Sequence, residues 1–139
     1  MPPRFLEARA AGSADRWELS LSVEESKGRR TGIVVDDGDS VLGYAVVGRN
    51  VDDDLPPGLL YDFYLHPSAW GTGAAKVLME WSIEMLRHLG YHDAVLWVLE
   101  ANPRARWFYE REGWRTDGRQ RSIDYGGTEL VALCYRTEL

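Results

Sequence analysis

The sequence predicts an α/β (α+β) protein with one mixed, mostly antiparallel sheet and helices on both faces, and three patterns indicate it. The first is a pair of apolar segments around an Asp-Gly turn, which is typical of a β-hairpin. The second is a long helical periodicity that follows a Gly-Thr-Gly turn and precedes an apolar run. The third is an Asn-Pro helix start followed by two further strand-like segments. The predicted order is helix, three strands, helix, strand, helix and two strands.

The composition bounds the class of protein. With 139 residues, 45% hydrophobic and 27% charged, the chain is expected to form a single domain over residues 1–139. A single cysteine, Cys134, excludes an internal disulfide and favours a reducing compartment. No apolar stretch is long enough for a membrane span and the N-terminus lacks a signal-peptide pattern, so the cytoplasm is expected. The net charge of −6 argues against nucleic-acid binding and favours, to a small degree, a cationic partner such as an amine.

The first predicted elements are helical and then extended. Residues 5–25 have helix-forming composition and are interpreted as one or two short helices. Residues 32–39 are predicted to form a strand that runs into a turn at Asp37-Gly38. Residues 41–48 are predicted to be its antiparallel partner.

A third strand and the longest helix follow. The strand is predicted over residues 59–66, after an acidic loop at 50–57 and before Pro67. The helix opens at Gly71-Thr72-Gly73 and stops at Gly90. Its apolar face is formed by Ala74, Val77, Leu78, Trp81, Met85 and Leu89.

The next predicted strand is buried on both faces, because residues 94–99 are almost continuously apolar. The unit over residues 59–99 should therefore be a parallel crossover. Asn102 as N-cap and Pro103 as first helical residue predict a second helix, which ends at Gly113.

Two predicted strands close the chain, around residues 114–123 and 129–135, joined at Gly126-Gly127. Cys134 lies within the last strand. That position indicates core packing and not a nucleophile.

The glycine-rich turn from Trp70 to Ala75 has the properties of an anion site. Glycines let the backbone approach a ligand, and the helix that follows presents free N–H groups. The spacing fits neither the P-loop nor the dinucleotide fingerprint. Taken alone, a purely structural turn explains these residues about as well.

Two motifs resemble those of the GCN5-related N-acetyltransferase (GNAT) superfamily. Residues 62–75, Asp-Phe-Tyr-Leu-His-Pro-Ser-Ala-Trp-Gly-Thr-Gly-Ala-Ala, are similar to its acetyl-CoA pyrophosphate loop. Residues 102–114, Asn-x-x-Ala-x-x-x-Tyr-x-x-x-Gly-Trp, resemble its second motif, in the family's order and separation. The resemblance covers roughly residues 31–139 and departs at Trp70, where the family usually has Gln or Arg, and at Ala75, where it has Gly. It implies the GNAT fold, with the sheet splayed at the cofactor site.

The start of the chain departs further from the family. GNAT proteins usually begin with a strand and a helix before the segment that resembles residues 5–25. The first strand is therefore expected to be absent, trimmed or supplied by a partner. A missing strand would leave a sheet edge open to pairing, and a homodimer is expected for that reason.

The resemblance implies acetyl-CoA as co-substrate and no metal. Loop N–H groups would hold the pyrophosphate, and third-strand backbone would bind the pantetheine arm, with an N–H near Leu65 polarising the thioester carbonyl. The implied cofactor-binding residues are Tyr64, Leu65, His66, Trp70, Gly71, Thr72, Gly73, Ala74, Ala75, Lys76, Asn102, Ala105 and Tyr109. Pairing with Glu80 explains Lys76 equally well. Arg104 or Arg106 could reach the adenosine phosphate, although a solvated helix face explains each more simply.

Tyr109 and Asp62 are the implied catalytic residues. Tyr109 resembles the family's general acid, since a phenol with a pKa of ~10 can donate to a departing thiolate. The alternatives are a core aromatic role for Tyr109 and a plain N-cap role for Asn102. Asp62 lies where some relatives place a base, but loop ordering or an arginine pair is an equal explanation. Tyr61 and Tyr64 could line the acceptor pocket.

The sequence thus predicts acetyl transfer from acetyl-CoA to an amine by direct attack in a ternary complex. The residues do not rank polyamines, aminoglycoside-like amines, amino acids and protein amines as acceptors. Two other functions stay open. One is a catalytically silent acyl-CoA-binding or sensor module of the same fold, and the other is a structural or dimerisation module in which the glycine turn has no ligand.

Overall fold

The computed structural model describes residues 7–9, 18–22, 31–36, 40–52 and 54–139. These form one eight-stranded sheet in the order β1-β2-β3-β4-β5-β6-β8-β7. All neighbouring strands are antiparallel except β5 and β6, so the sheet is mixed and mostly antiparallel, as predicted. The elements are β1 Glu7–Arg9, β2 Glu18–Ser22, β3 Thr31–Asp36, β4 Val41–Arg49, β5 Gly58–Leu65, a short 3₁₀ turn Pro67–Ala69, α1 Ala74–His88, β6 Asp93–Leu99, α2 Pro103–Arg111, β7 Arg115–Tyr125 and β8 Thr128–Glu138.

The prediction of short helices over residues 5–25 is wrong for the part of that range described by the structure. Both described segments, β1 and β2, are strands, and β2 pairs with β3 from Glu18↔Asp36 to Ser22↔Gly32. Residues 18–22, Glu-Leu-Ser-Leu-Ser, alternate polar and apolar side chains, which is the period of a strand. Pairing along β3 therefore prevails over the helical composition of the surrounding segment.

β2 also changes the expectation for the sheet edge. The edge of the sheet beside β3 was expected to be unpaired, but β2 pairs with β3 at five residue positions. The homodimer loses the reason for which it was expected and stays a prediction. Sedimentation at micromolar concentration, with a clean monomer as the contrary result, tests it.

The two described helices pack on the same face of the sheet. Alternate residues of β6 show this, because Ala94, Leu96 and Val98 join the cluster that holds α1 and Tyr109 of α2. Val95 joins a second, smaller cluster on the opposite face, with Leu55, Leu59 and Cys134. Helices were predicted on both faces. Both helices of the described residues lie on one face, and a helix on the other face would have to lie outside the described residues.

The remaining elements from β3 to β8 agree with the prediction to within a few residues. β3 and β4 form the expected antiparallel pair, although the turn at residues 37–39 lies outside the described residues. β5 and β6 form the expected parallel pair. Within the described ranges, no helix is long and apolar enough to cross a membrane.

Candidate active site

The sheet splits between β5 and β6. These strands pair at only three positions, from Gly58↔Ala94 to Leu60↔Leu96. Beyond them β5 continues along β4 to Leu65, and β6 continues along β8 to Leu99. Each strand therefore has an unpaired backbone edge facing the split, which fits the expected splay at the cofactor site.

A β-bulge lies where the strands part. Val46 pairs with Asp62 and Val47 with Leu60, so Tyr61 is an extra residue on β5. The extra residue resets the alternation of side chains, and both Leu60 and Phe63 pack in the helix-side cluster. Asp62 is consequently exposed on the opposite face of the sheet. No helix of the described residues covers that face, and in this sense we call it the helix-free face.

The backbone of β5 offers alternate residues to the split. The N–H of His66 donates to the carbonyl of Leu42 on β4 at 2.6 Å. Since pairing alternates along an antiparallel ladder, Tyr64 also faces β4, while Phe63 and Leu65 turn their N–H and C=O groups towards the split. His66 also accepts the N–H of Ala69 at 2.9 Å. The N–H groups of Tyr64 and His66 are thus engaged, whereas those of Phe63 and Leu65 face the split. The role of Leu65 stays a prediction, and Phe63 was not among the predicted residues.

The glycine turn holds its own shape with few internal bonds. Gly71 and Gly73 have φ angles of +79° and +88°, which side-chain-bearing residues rarely adopt. The Thr72 hydroxyl donates to the carbonyl of Ala69 at 2.6 Å and accepts the N–H of Ala74 at 3.3 Å. The position of Thr72 is therefore explained by the turn itself.

Four N–H groups of this turn have no acceptor among the described residues: those of Gly71, Gly73, Ala75 and Lys76. Gly73 caps α1 without a side-chain hydrogen bond, and the first turn of α1 contains no acidic residue. The unpaired donors and the positive end of the helix dipole favour an anion here.

Lys76 forms the ion pair with Glu80 that was one of its two explanations, and a second pair with Glu112. Its ammonium lies 3.9 Å from Glu80 and 3.7 Å from Glu112, and its side chain is exposed. Arg106 is also engaged, because it donates to the Tyr135 hydroxyl at 3.1 Å and to the carbonyl of Glu100 at 3.3 Å. The Lys76 charge is thus paired with carboxylates, and Arg106 already donates to two neutral oxygens.

Arg104, unlike Lys76 and Arg106, contacts an aromatic ring of the glycine turn. Its guanidinium carbon lies 3.5 Å from the centre of the Trp70 ring, whose indole N–H donates to the carbonyl of Leu65 at 3.0 Å. Trp70 thus links the end of β5 to α2. Sequence reasoning left Arg104 and Arg106 equivalent, because only the fold brings Arg104 to the glycine turn.

The second motif follows one side of α2. The side-chain oxygen of Asn102 accepts the N–H of Ala105 at 3.2 Å, so Asn102 is an N-cap. Its amide donors stay available for another partner, because no described residue accepts from them. Ala105 is half-buried against the core cluster.

Tyr109 lies buried beside the split. Its ring packs edge-on against Phe63 of β5, with the centroids 6.1 Å apart. Burial raises the pKa of Tyr109 to about 12. Within the described chain its hydroxyl has no hydrogen-bond partner, so both of its roles, core aromatic and proton donor, fit the position.

The helix-free face of β5 is aromatic and acidic. The exposed ring of Tyr64 packs against that of Tyr44 with centroids 5.7 Å apart. Asp62, two residues before Tyr64, lies on the same face and is exposed. Tyr61 is tied to the backbone by a hydrogen bond from its hydroxyl to the Arg49 carbonyl. Asp62 and Tyr109 therefore lie on opposite sides of β5.

A family model confirms what these features indicate. Residues 3–114 match the model of the Acetyltransferase (GNAT) family. This chain belongs to the GNAT family. Membership implies an acyl-CoA as co-substrate.

Curated relatives of this GNAT chain include uncharacterised N-acetyltransferases of Mycobacterium bovis and Mycobacterium tuberculosis. Each is 35% identical over 78 residues, which is 56% of this chain and 48% of the relative. The chain therefore spans about half the length of these curated relatives.

Solved structures show the same fold. Nourseothricin acetyltransferase superposes with a TM-score of 0.68 at 19% identity, covering 99% of this chain and 86% of its own. The ribosomal-protein-S18-alanine N-acetyltransferase of Escherichia coli has a TM-score of 0.65 at 16% identity, covering 82% of this chain and 71% of its own. The acceptors in these names differ, so likeness of fold does not select one.

The residues of this GNAT chain fit an acyl-CoA. Unpaired N–H groups at the turn suit phosphate, and the open edge of β5 suits an extended amide-bearing arm. The side chains of the described ranges contain no group of three His, Cys, Asp or Glu suited to a metal ion.

Proposed function

We propose that the chain is one N-acetyltransferase domain that binds acetyl-CoA in the split between β5 and β6 and acetylates an amine by direct attack. The observation that supports this most is the unpaired edge of β5, which leads directly to the unpaired N–H groups of the glycine turn. A purely structural turn explains the glycines but gives no reason for an open sheet beside them.

The cofactor site is formed mainly by backbone. Bound acetyl-CoA supplies an activated acyl group as its thioester. The turn from Trp70 to Lys76 holds the diphosphate, and Phe63 and Leu65 hold the extended arm along β5. The Leu65 N–H is the proposed donor to the thioester oxygen, where negative charge develops during attack. Ala105 leaves room for the arm beside α2, and the free amide donors of Asn102 can bond to it.

Tyr109 is the proposed donor to the leaving sulfur. With a pKa of about 12, the Tyr109 phenol stays neutral at physiological pH. A thiol has a pKa near ~8.5, so full proton transfer from such a phenol is uphill by roughly 5 kcal/mol. The favoured role is therefore a hydrogen bond to the developing thiolate, with final protonation by solvent.

The acceptor amine is proposed to approach from the helix-free face. Asp62 and the exposed rings of Tyr44 and Tyr64 form a surface there that attracts a cation. The Asp62 carboxylate would attract the ammonium form and relay its proton to water. A polyamine, an aminoglycoside-like amine or a protein amine each satisfies this chemistry.

A silent acyl-CoA-binding module is the second candidate, and the exposure of Asp62 favours it. An exposed carboxylate lacks the burial that would make it a stronger base, so it is poorly suited to deprotonate an alkylammonium. Such a module would bind acetyl-CoA as an enzyme does but would release no thiol with any amine.

Calorimetric titration with acetyl-CoA, with ATP and NADH as controls, is the first test. Micromolar binding of acetyl-CoA alone supports the site. Thiol release is then followed with spermidine, an aminoglycoside, free amino acids and a peptide with a free N-terminus. Binding with turnover supports the enzyme, binding without turnover supports the silent module, and no binding contradicts both.

A further inference from the structure

Trp70 joins the glycine turn to two other elements at once. Its indole N–H is bonded to the Leu65 carbonyl at the end of β5, and its ring face contacts Arg104 of α2. The hydrogen bond fixes the orientation of the ring, and the ring in turn fixes the plane of the guanidinium. An arginine stacked in this way keeps its N–H donors free at its edge and loses less entropy when it binds an anion.

Arg104 also keeps its hydrogen-bond donors available at this place. Lys76 lies between two carboxylates, and Arg106 donates to the Tyr135 hydroxyl and to the backbone carbonyl of Glu100. Arg104 makes no ion pair and donates no hydrogen bond to any residue that the structure describes. Of these three cations, Arg104 is therefore the one whose donors are all available to an anion at the glycine turn.

We propose that Arg104 is the residue that recognises the phosphate groups of the acyl-CoA donor, and that Trp70 is the residue that positions it. This rests on the proposed cofactor site. Trp70 then has a function in this chain, because its ring holds the charged Arg104 side chain of α2 in place.

The test compares donors that carry all, some or none of the phosphate groups of acetyl-CoA; the donor without phosphate also lacks the adenosine. Calorimetry measures the Kd of acetyl-CoA, 3′-dephospho-acetyl-CoA and S-acetylpantetheine for the wild type, Arg104→Gln and Arg111→Gln. Arg111 is a matched control because it lies on the same helix and also contacts a tryptophan, with 5.1 Å between its guanidinium carbon and the Trp107 ring centre. Circular dichroism and thermal denaturation check that each variant is folded.

Arg104→Gln should weaken acetyl-CoA about tenfold, the usual effect of losing a charge-assisted hydrogen bond. It should leave S-acetylpantetheine unchanged and reduce the salt dependence of acetyl-CoA binding. Arg111→Gln should bind all three donors as the wild type does. If the Arg104→Gln effect persists with the dephospho donor, Arg104 contacts the diphosphate. If it disappears, Arg104 contacts the 3′-phosphate.

The role of Trp70 is tested by a double-mutant cycle. Trp70→Ala should weaken acetyl-CoA about threefold, and Trp70→Ala combined with Arg104→Gln should be no weaker than Arg104→Gln alone. Additive losses would overturn the positioning role. Wild-type binding with an unchanged Kd for Arg104→Gln would overturn the inference but leave the proposed function standing. Failure of the wild type to bind any donor would overturn both.

Discussion

Replacing Tyr109 with Phe removes a single hydroxyl and keeps the aromatic ring. The ring keeps its contacts with Phe63 and Phe108, whose centroids lie 6.1 and 5.7 Å away, so the core stays filled. The hydroxyl has no hydrogen-bond partner among the described residues, and its removal should change the free energy of unfolding near pH 7 by less than about 1 kcal/mol. Any larger effect on turnover then belongs to chemistry and not to folding.

The size of the expected kinetic effect follows from the Tyr109 pKa of about 12. A full general acid contributes typically ~10²–10⁴-fold. A donor this weak should supply a hydrogen bond to a charged group, about 1.5–3 kcal/mol, which corresponds to roughly 10- to 100-fold in kcat. Thiol release under saturating acetyl-CoA measures kcat, and calorimetry should give an acetyl-CoA Kd within about twofold of the wild type.

The same substitution has a signature that does not require turnover. Burial raises the pKa of Tyr109 from 10.0 to about 12, so its contribution to stability is complete below pH 10 and is lost as pH rises through about 12. The loss approaches roughly 3 kcal/mol, and the Phe variant lacks it. Cys134, whose pKa burial also raises to about 12, adds an alkaline loss common to both proteins. An unchanged kcat, or identical alkaline denaturation of the two proteins, would refute this account of Tyr109.

Substitutions at Gly43, Asn102 and Lys76, with two control variants, test the architecture of the site. Gly43→Ala would place a Cβ 2.5 Å from the Tyr64 carbonyl and should lower the free energy of unfolding by about 2 kcal/mol. Gly32→Ala has open space around its Cβ and should not lower it. Thermal denaturation measures both variants. Asn102→Ala should cost about 1 kcal/mol through loss of the N-cap, and Asn102→Asp should restore that stability. If Asn102→Asp also restored acetyl-CoA affinity, its amide donors would have no cofactor role. Lys76→Gln should change stability by less than about 1 kcal/mol, because the Lys76 side chain is exposed in both of its ion pairs, and a larger drop in the denaturant midpoint would contradict this.

Much of the fold could be predicted because the patterns that specify it lie within short stretches of the sequence. The helical period of α1, the Asn-Pro start of α2 and the apolar run of β6 each depend on neighbours within a few residues. The prediction for the N-terminal segment was wrong for the opposite reason. Its helical composition is a weak preference, and β2 is held by pairing with β3, a partner that composition does not reveal.

The sequence by itself determined the family and the order of the elements from β3 to β8, because two motifs and the periodicities between them are properties of adjacent residues. Only the tertiary structure decided which groups face the split. The bulge at Tyr61 sends Asp62 to the helix-free face, and the ladder with β4 engages the N–H of His66 while leaving the N–H of Leu65 open. The stacking of Arg104 on Trp70, which are 34 positions apart in the sequence, likewise depends on how α2 docks beside the glycine turn. Contacts between distant residues are set by packing and pairing of whole elements, and no local pattern of residues specifies them.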